Sequence, residues 1–240
     1  MVNFIGIPIV VTAIYILNEW RLLFMKYTGL LFDLDGVIVD TAKYHYIAWK
    51  EIAEELGITF TEQDNERLKG VSRIRSFEII LEIGKMDMDK KEQERYCELK
   101  NDIYLSYIEK LTVHDILPGV ETFLKDAKAK GYQIALGSAS KNSLLILDRI
   151  KLTPVFDAIV DGTKVSKAKP DPEVFTKGAE ELRLRYEDCL VFEDSEAGIE
   201  AAHKAGMKAI GIGTKELLPE ADILITSFQD ITIEHLVEQL

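Results

Sequence analysis

Leu30-Leu31-Phe32-Asp33-Leu34-Asp35-Gly36-Val37 is a short apolar run that ends in two carboxylates and a glycine. It reads as a buried strand running out into a turn. Strand alternation aims Asp33 and Asp35 to the same side, where two like charges are costly unless a cation neutralises them or one of them holds a proton. The pair therefore suggests a hard metal with oxygen ligands, Mg²⁺ above all. An isolated Asp-x-Asp serves equally well to cap a loop, so the rest of the chain has to decide.

Working outward, short apolar runs at 133–137, 158–160, 189–192, 209–212 and 223–225 follow the first strand at 30–33, each bounded by Gly, Asp or Ser. Several are nearly all apolar, as strands covered on both faces should be. Amphipathic stretches at 120–130, 141–150, 173–184 and 197–205 lie between them and read as crossover helices. The alternation predicts an α/β fold, a three-layer Rossmann-like core around a parallel sheet. Residues 41–112 break the rhythm. Rich in Glu, Lys, Leu and Ile at helical spacing, this span is read as a helical cap inserted after the first strand, with the core made of 28–40 and 113–240. Loops at the carboxyl ends of parallel strands are where ligands bind, so such a cap would cover the site.

Composition sets the outer bounds. The 240 residues are 47% hydrophobic and 29% charged, enough for a sizeable core. A formal net charge of −12 argues against nucleic acid as a partner. Cys97 and Cys189 have neither the number nor the spacing of a disulfide framework or a zinc site, which fits a reducing cytoplasm. Residues 1–27 stand as an amino-terminal extension, whose apolar run from 4 to 17 is short for a membrane span and carries Pro8 in its middle. It is read first as the product of an upstream start, with Met25 the natural one. A membrane anchor or an extra packed element are the alternatives.

A second acidic pair, Glu193-Asp194, follows the apolar run 189–192 and precedes a helix start at Ser195. Two strands thus deliver carboxylates to one sheet edge, which outlines a metal site. Ser138, after the strand at 133–137, is expected to open a helix with Ala139, Ser140, Lys141 and Asn142, and a hydroxyl beside free helix amides suits a phosphate. Lys169-Pro170 adds a cation near the acidic cluster.

Asp33-x-Asp35-Gly36-Val37, Ser138, Lys169-Pro170-Asp171-Pro172 and Glu193-Asp194, in that order, resemble the haloacid dehalogenase superfamily. The resemblance implies a Mg²⁺-dependent phosphotransferase, with Asp33 as nucleophile and Asp35 as general acid and base. It further implies Ser138 and Lys169 at the transferring phosphoryl group, and a metal held by Asp33, Asp35 (through its main-chain carbonyl), Glu193 and Asp194. Within the superfamily the stretches 39–50, 68–73 and 138–142 are similar to the β-phosphoglucomutase family. That narrower resemblance puts Thr41 at the cap hinge and His45 beside Asp35. It brings Lys69, Gly70, Val71, Ser72, Arg73 and Ser76 to the substrate from the cap. Arg73, with Ala139, Ser140, Lys141 and Asn142, would hold the phosphate that is not being transferred. Ala168 and Asp171 depart from the family's usual residues but carry no catalytic group. The expected enzyme is a monomer acting on a small phosphorylated sugar, away from membranes. A sugar-phosphate or phosphoglycolate phosphatase with the same Asp33 chemistry is the alternative.

Overall fold

Six runs of apolar residues with almost no polar interruption pair as strands, because only a sheet covered on both faces can bury them. The computed structural model describes residues 25–69 and 71–240, so the expectations on the apolar run 4–17 and on Gly70 lie outside the described residues. The strands are β1 (Gly29–Phe32), β2 (Gln133–Gly137), β3 (Ala158–Val160), β4 (Cys189–Glu193), β5 (Lys208–Ile212) and β6 (Ile223–Ile225). All are parallel, in the order β3-β2-β1-β4-β5-β6. Phe32 stands opposite Leu136 on one side and Phe192 on the other. The chain fills one side of β1 with β2 and β3, then returns to fill the other, so the order reverses between β1 and β4. The crevice at that reversal, beyond the strands' carboxyl ends, is where such sheets take ligands.

Four helices lie between β1 and β2: α1 (Ala42–Glu55), α2 (Glu62–Glu66), α3 (Arg73–Gly84) and α4 (Lys90–Ile108). Five more follow: α5 (Val120–Ala129), α6 (Ser143–Arg149), α7 (Glu173–Leu182), α8 (Glu196–Lys204) and α9 (Ile233–Val237). The period-two pleat splits β1 between two cores. Leu30 and Phe32 pack with Phe123, Ile146 and Leu236 from α5, α6 and α9. Leu31 packs with Phe175, Ala179 and Ile199 from α7 and α8. Phe32 stacks on Phe192 with ring centroids 4.4 Å apart, and burying each such side chain contributes about 1.5–3 kcal/mol.

Helices α1, α3 and α4, with Ile58, Phe60 and Leu68 from the segments flanking α2, enclose a third core, in which Trp49 stacks on Phe77 beside Ile52, Ile80 and Tyr96. Ser72 caps α3 by accepting from the Arg75 amide, and Asp89 caps α4 by accepting from Glu92. Further along α4, Tyr104 and Ile108 join the sheet's core together with Ala48 of α1.

Two helices depart from expectation. α6 begins at Ser143 rather than 141, because the hydroxyls of Ser138 and Ser140 accept from the amides of Ser140 and Asn142. Such local bonds compete with helix formation. α7 stops at Leu182 where Arg183 turns left-handed, with φ 60°. Among the described residues no helix is long and apolar enough to cross a membrane.

Candidate active site

Asp33 is the first residue beyond β1, and its amide donates to the Phe192 carbonyl at 2.9 Å, which locks it beside β4. Lys169 lies between two carboxylates, donating to Asp33 Oδ1 at 2.5 Å and to Glu193 Oε2 at 2.8 Å, with all three residues buried. The other oxygen of Glu193 accepts from the Ser195 hydroxyl at 2.6 Å and the Ser195 amide at 3.1 Å. Asp33, Glu193 and Asp194 each bring a carboxylate oxygen into a group spanning no more than 4.8 Å. Burial raises the Asp33 pKa well above its ordinary value, Lys169 opposing and Glu193 adding to the rise. Asp194 is pushed up to about 7 by burial and by Glu193. A cluster that would rather hold protons than stay anionic is short of positive charge. Hard oxygen donors so placed suit a small divalent cation.

Gly36 explains how the loop passes so close. Its φ is +84°, and a Cβ there would fall 2.3 Å from Asp194 Oδ2. The two aspartates of the opening motif line one cavity, as the expected common side requires, yet their carboxylates take different partners. β1 ends at Phe32, so the pleat does not extend to Asp35, and the Asp35 carboxylate is absent from the acidic group around Asp33.

Asp35 instead meets the cap. The Thr41 hydroxyl donates to Asp35 Oδ1, and His45 Nε2 stands 3.7 Å from the same oxygen. Burial, the largest influence on Asp35, would raise its pKa, but His45, Thr41 and Lys100 outweigh it and hold the carboxyl below its usual range. His45 is itself lowered by burial and by the charge of Lys100, so at neutral pH it faces Asp35 as a neutral ring. Lys100 Nζ lies 2.8 Å from His45 Nδ1. While Lys100 holds its proton it has no lone pair to offer, so Nδ1 accepts and the ring proton sits on Nε2, 3.7 Å from Asp35 Oδ1.

A cavity of about 450 Å³ lies between cap and sheet. Of the expected site residues, Asp33, Asp35, His45, Lys69, Val71, Ser72, Arg73, Ser76, Ala139, Ser140, Lys141, Asn142, Lys169 and Asp194 line it. Thr41, Ser138 and Glu193 stand behind its wall. The Ser138 hydroxyl is turned into the local bond with the Ser140 amide. Lys69 approaches Glu66 at 3.1 Å and Asp194 at 3.6 Å, which sets it over the acidic cluster. Trp49, packed in the core of these helices, also lines the cavity.

Sequence reasoning missed Lys100, Asn101 and Tyr104, all on α4. The signal was there for two of them: Tyr96, Lys100, Tyr104 and Ile108 recur every four residues, so Lys100 sits in an otherwise apolar stripe.

Residues 30–212 match the haloacid dehalogenase-like hydrolase family. Over 213 residues the chain is 43% identical to the β-phosphoglucomutase of Bacillus subtilis strain 168, spanning 88% of this chain and 94% of that one. It is 30% identical to a fructose-1-phosphate phosphatase of Escherichia coli K12 over 79% of this chain and 98% of the relative. A crystal structure of β-phosphoglucomutase from Clostridium difficile superposes with a TM-score of 0.85 at 40% identity, covering 89% of this chain and 96% of the other.

Proposed function

Because the chain belongs to the haloacid dehalogenase-like hydrolase family, we propose that it is a β-phosphoglucomutase working through phosphorylated Asp33. The observation that carries this reading is that one cavity is lined by Asp33 and Asp194 of the carboxylate cluster together with Arg73, Ser140, Lys141 and Asn142. A mutase needs both ends: its bisphosphate intermediate must stay with the enzyme and present either phosphate to the same nucleophile.

In this reading an oxygen of Asp33 attacks phosphorus and forms a mixed anhydride, splitting one transfer into two. Asp35 protonates the leaving sugar oxygen and later takes the proton of the incoming hydroxyl. The neutral His45, oriented by Lys100, and the Thr41 hydroxyl hold Asp35 in position for both tasks. Lys169 fixes the Asp33 carboxylate and places positive charge beside the equatorial oxygens. Asp33, Glu193 and Asp194, with the main-chain carbonyl of Asp35, would hold Mg²⁺, which when bound neutralises this cluster and the transferring phosphoryl group. Arg73 and the 139–142 loop grip the other phosphate, and the cap keeps water from the anhydride. A monomer acting on small sugar phosphates completes the reading, and the two buried free thiols support a reducing cytoplasm as its compartment.

The test supplies β-glucose 1-phosphate, Mg²⁺ and a trace of β-glucose 1,6-bisphosphate, and reads glucose 6-phosphate and free phosphate from the same samples. Glucose 6-phosphate without matching phosphate release is expected, and Asp33→Asn should lose both it and the labelling of the protein by the bisphosphate. Rapid phosphate release with no isomer would overturn the mutase reading in favour of a phosphatase.

A further inference from the structure

The second phosphate site is built from two bodies, and a single side chain joins them. Asn101, half-buried on α4, accepts at Oδ1 from Arg73 Nη2 at 2.7 Å and from Asn142 Nδ2 at 3.0 Å. Arg73 begins α3 in the cap, whereas Asn142 caps α6 on the sheet. The assignment of atoms is forced, because a guanidinium has only donors, so the Asn101 atom facing it must be the oxygen.

The choice of a neutral partner carries meaning. On the same cap Arg67 and Arg75 pair with Glu82, and Arg95 pairs with Glu92. Arg73 has no carboxylate within 4.0 Å among the described residues. An amide holds the guanidinium in place without cancelling its charge, and leaves the rest of its donors for an anion. A carboxylate in that position would compete with a phosphate for the same fork. Arg73 and Asn142 line the cavity and Asn101 does not, so it acts through them.

We propose that Asn101 is the positioning residue that sets the second phosphate site and ties the cap to the sheet when that site is formed. This rests on the reading of Arg73 and Asn142 as ligands of the phosphate that is not transferred. Closing the cap brings Arg73 to the Asn142 loop, and the shared acceptor registers the two donors at one point. A bound phosphate then finds a preorganised pair rather than two independent side chains, which lowers the ordering cost of binding.

The test compares the parent, Asn101→Ala and Asn101→Asp on two substrates. One is β-glucose 1-phosphate, which spans the cavity. The other is acetyl phosphate, a small phosphoryl donor too short to engage both ends. Loss of one hydrogen bond to a charged group should raise the sugar-phosphate KM roughly 10-fold or more in Asn101→Ala, well beyond any change in the acetyl phosphate KM. Product should also shift from isomer toward free phosphate. Asn101→Asp should keep Arg73 in place but oppose a dianion, so its sugar-phosphate KM should exceed that of the Ala variant. Equal losses on both substrates that follow a lower melting temperature would mean a structural role only and overturn the proposal, as would a native KM and product ratio in Asn101→Ala. If the parent yields phosphate and no isomer, the mutase reading fails, while the contrast in KM between the two substrates still decides the role of Asn101.

Discussion

Replacing Lys100 with Met should make the protein more stable and less active. Lys100 is 2% exposed, and its ammonium meets His45 Nδ1 at 2.8 Å and the faces of Tyr104 and Trp49 at 4.4 and 5.2 Å, with no carboxylate in direct contact among the described residues. Burial and the nearby charge of Arg73 lower its pKa from 10.5 to about 7. At about 1.4 kcal/mol per tenfold change in proton affinity, that drop sets a ceiling of about 5 kcal/mol on what the buried amine costs the fold. The two ring faces are already part of the native balance, and losing them takes back some of the gain. Met fills the same space with a flexible apolar chain, so a net gain of roughly 2–4 kcal/mol at pH 7 is expected. For a domain of this size that is a melting temperature higher by about 5–10 °C.

The sign with pH follows from proton binding. The unfolded chain holds the Lys100 proton up to about pH 10.5, whereas the folded chain releases it above about 7. Over that window the unfolded state binds more protons, so this group's contribution to native stability rises with pH. The advantage of Lys100→Met should therefore shrink by roughly 1–2 kcal/mol between pH 7 and 8.5. Without the amine, His45 loses the donor that fixes its tautomer, and kcat for isomer formation should fall by about 10²-fold. Urea melts of both proteins across this range, beside the isomer assay, measure all three effects. A variant that melts at or below the parent at pH 7, or a stability difference flat with pH, would refute the reasoning.

Three further outcomes are expected. Lys169→Met leaves Asp33 and Glu193 buried without their shared cation, and in chelator it should lose about 3–5 kcal/mol of stability; added Mg²⁺ should restore part of the melting temperature, and no response would argue against cation deficiency. Gly198→Ala gains about 1 kcal/mol in helix propensity, but its Cβ would lie 2.0 Å from Glu193 Cδ. Net destabilisation and a higher Mg²⁺ requirement for activity should result, read from thermal melts and a Mg²⁺ titration. Asp35→Asn should still accept a phosphoryl group on Asp33 from acetyl phosphate but lose sugar turnover by about 10²-fold or more, whereas equal loss on both substrates would remove Asp35 from its acid and base role.

Much of the sheet and its carboxylate edge was legible because the signals are local. The runs around Leu31, Leu136 and Val191 are apolar without interruption, and the acids and glycines that end them mark the strand ends directly. The loss of alternation over 41–112 was legible as helices, four of which lie between β1 and β2, and the family resemblance pointed to Lys69, Val71, Ser72 and Arg73, which line the cavity. Misreadings came where a short-range competition decided the outcome. Ser138 and Ser140 draw the 138–142 segment into turns instead of a helix. Asp33 and Asp35 do line one cavity as read, but the neighbours of Asp35, Thr41 and His45, come from the segment after the turn and were not legible in the strand pattern.

What the sequence determined by itself was the set of chemical groups and their order along the strands, since a pleated apolar run ending in acid dictates both a buried strand and what it delivers. What only the tertiary structure decided was which groups share a partner. Lys169 joining Asp33 and Glu193, Lys100 behind His45, and Asn101 between Arg73 and Asn142 are contacts between residues 24 to 136 positions apart. Such pairings depend on how the cap packs on the sheet, because burial and distance set each pKa and each hydrogen bond, and neither quantity exists until the layers have met.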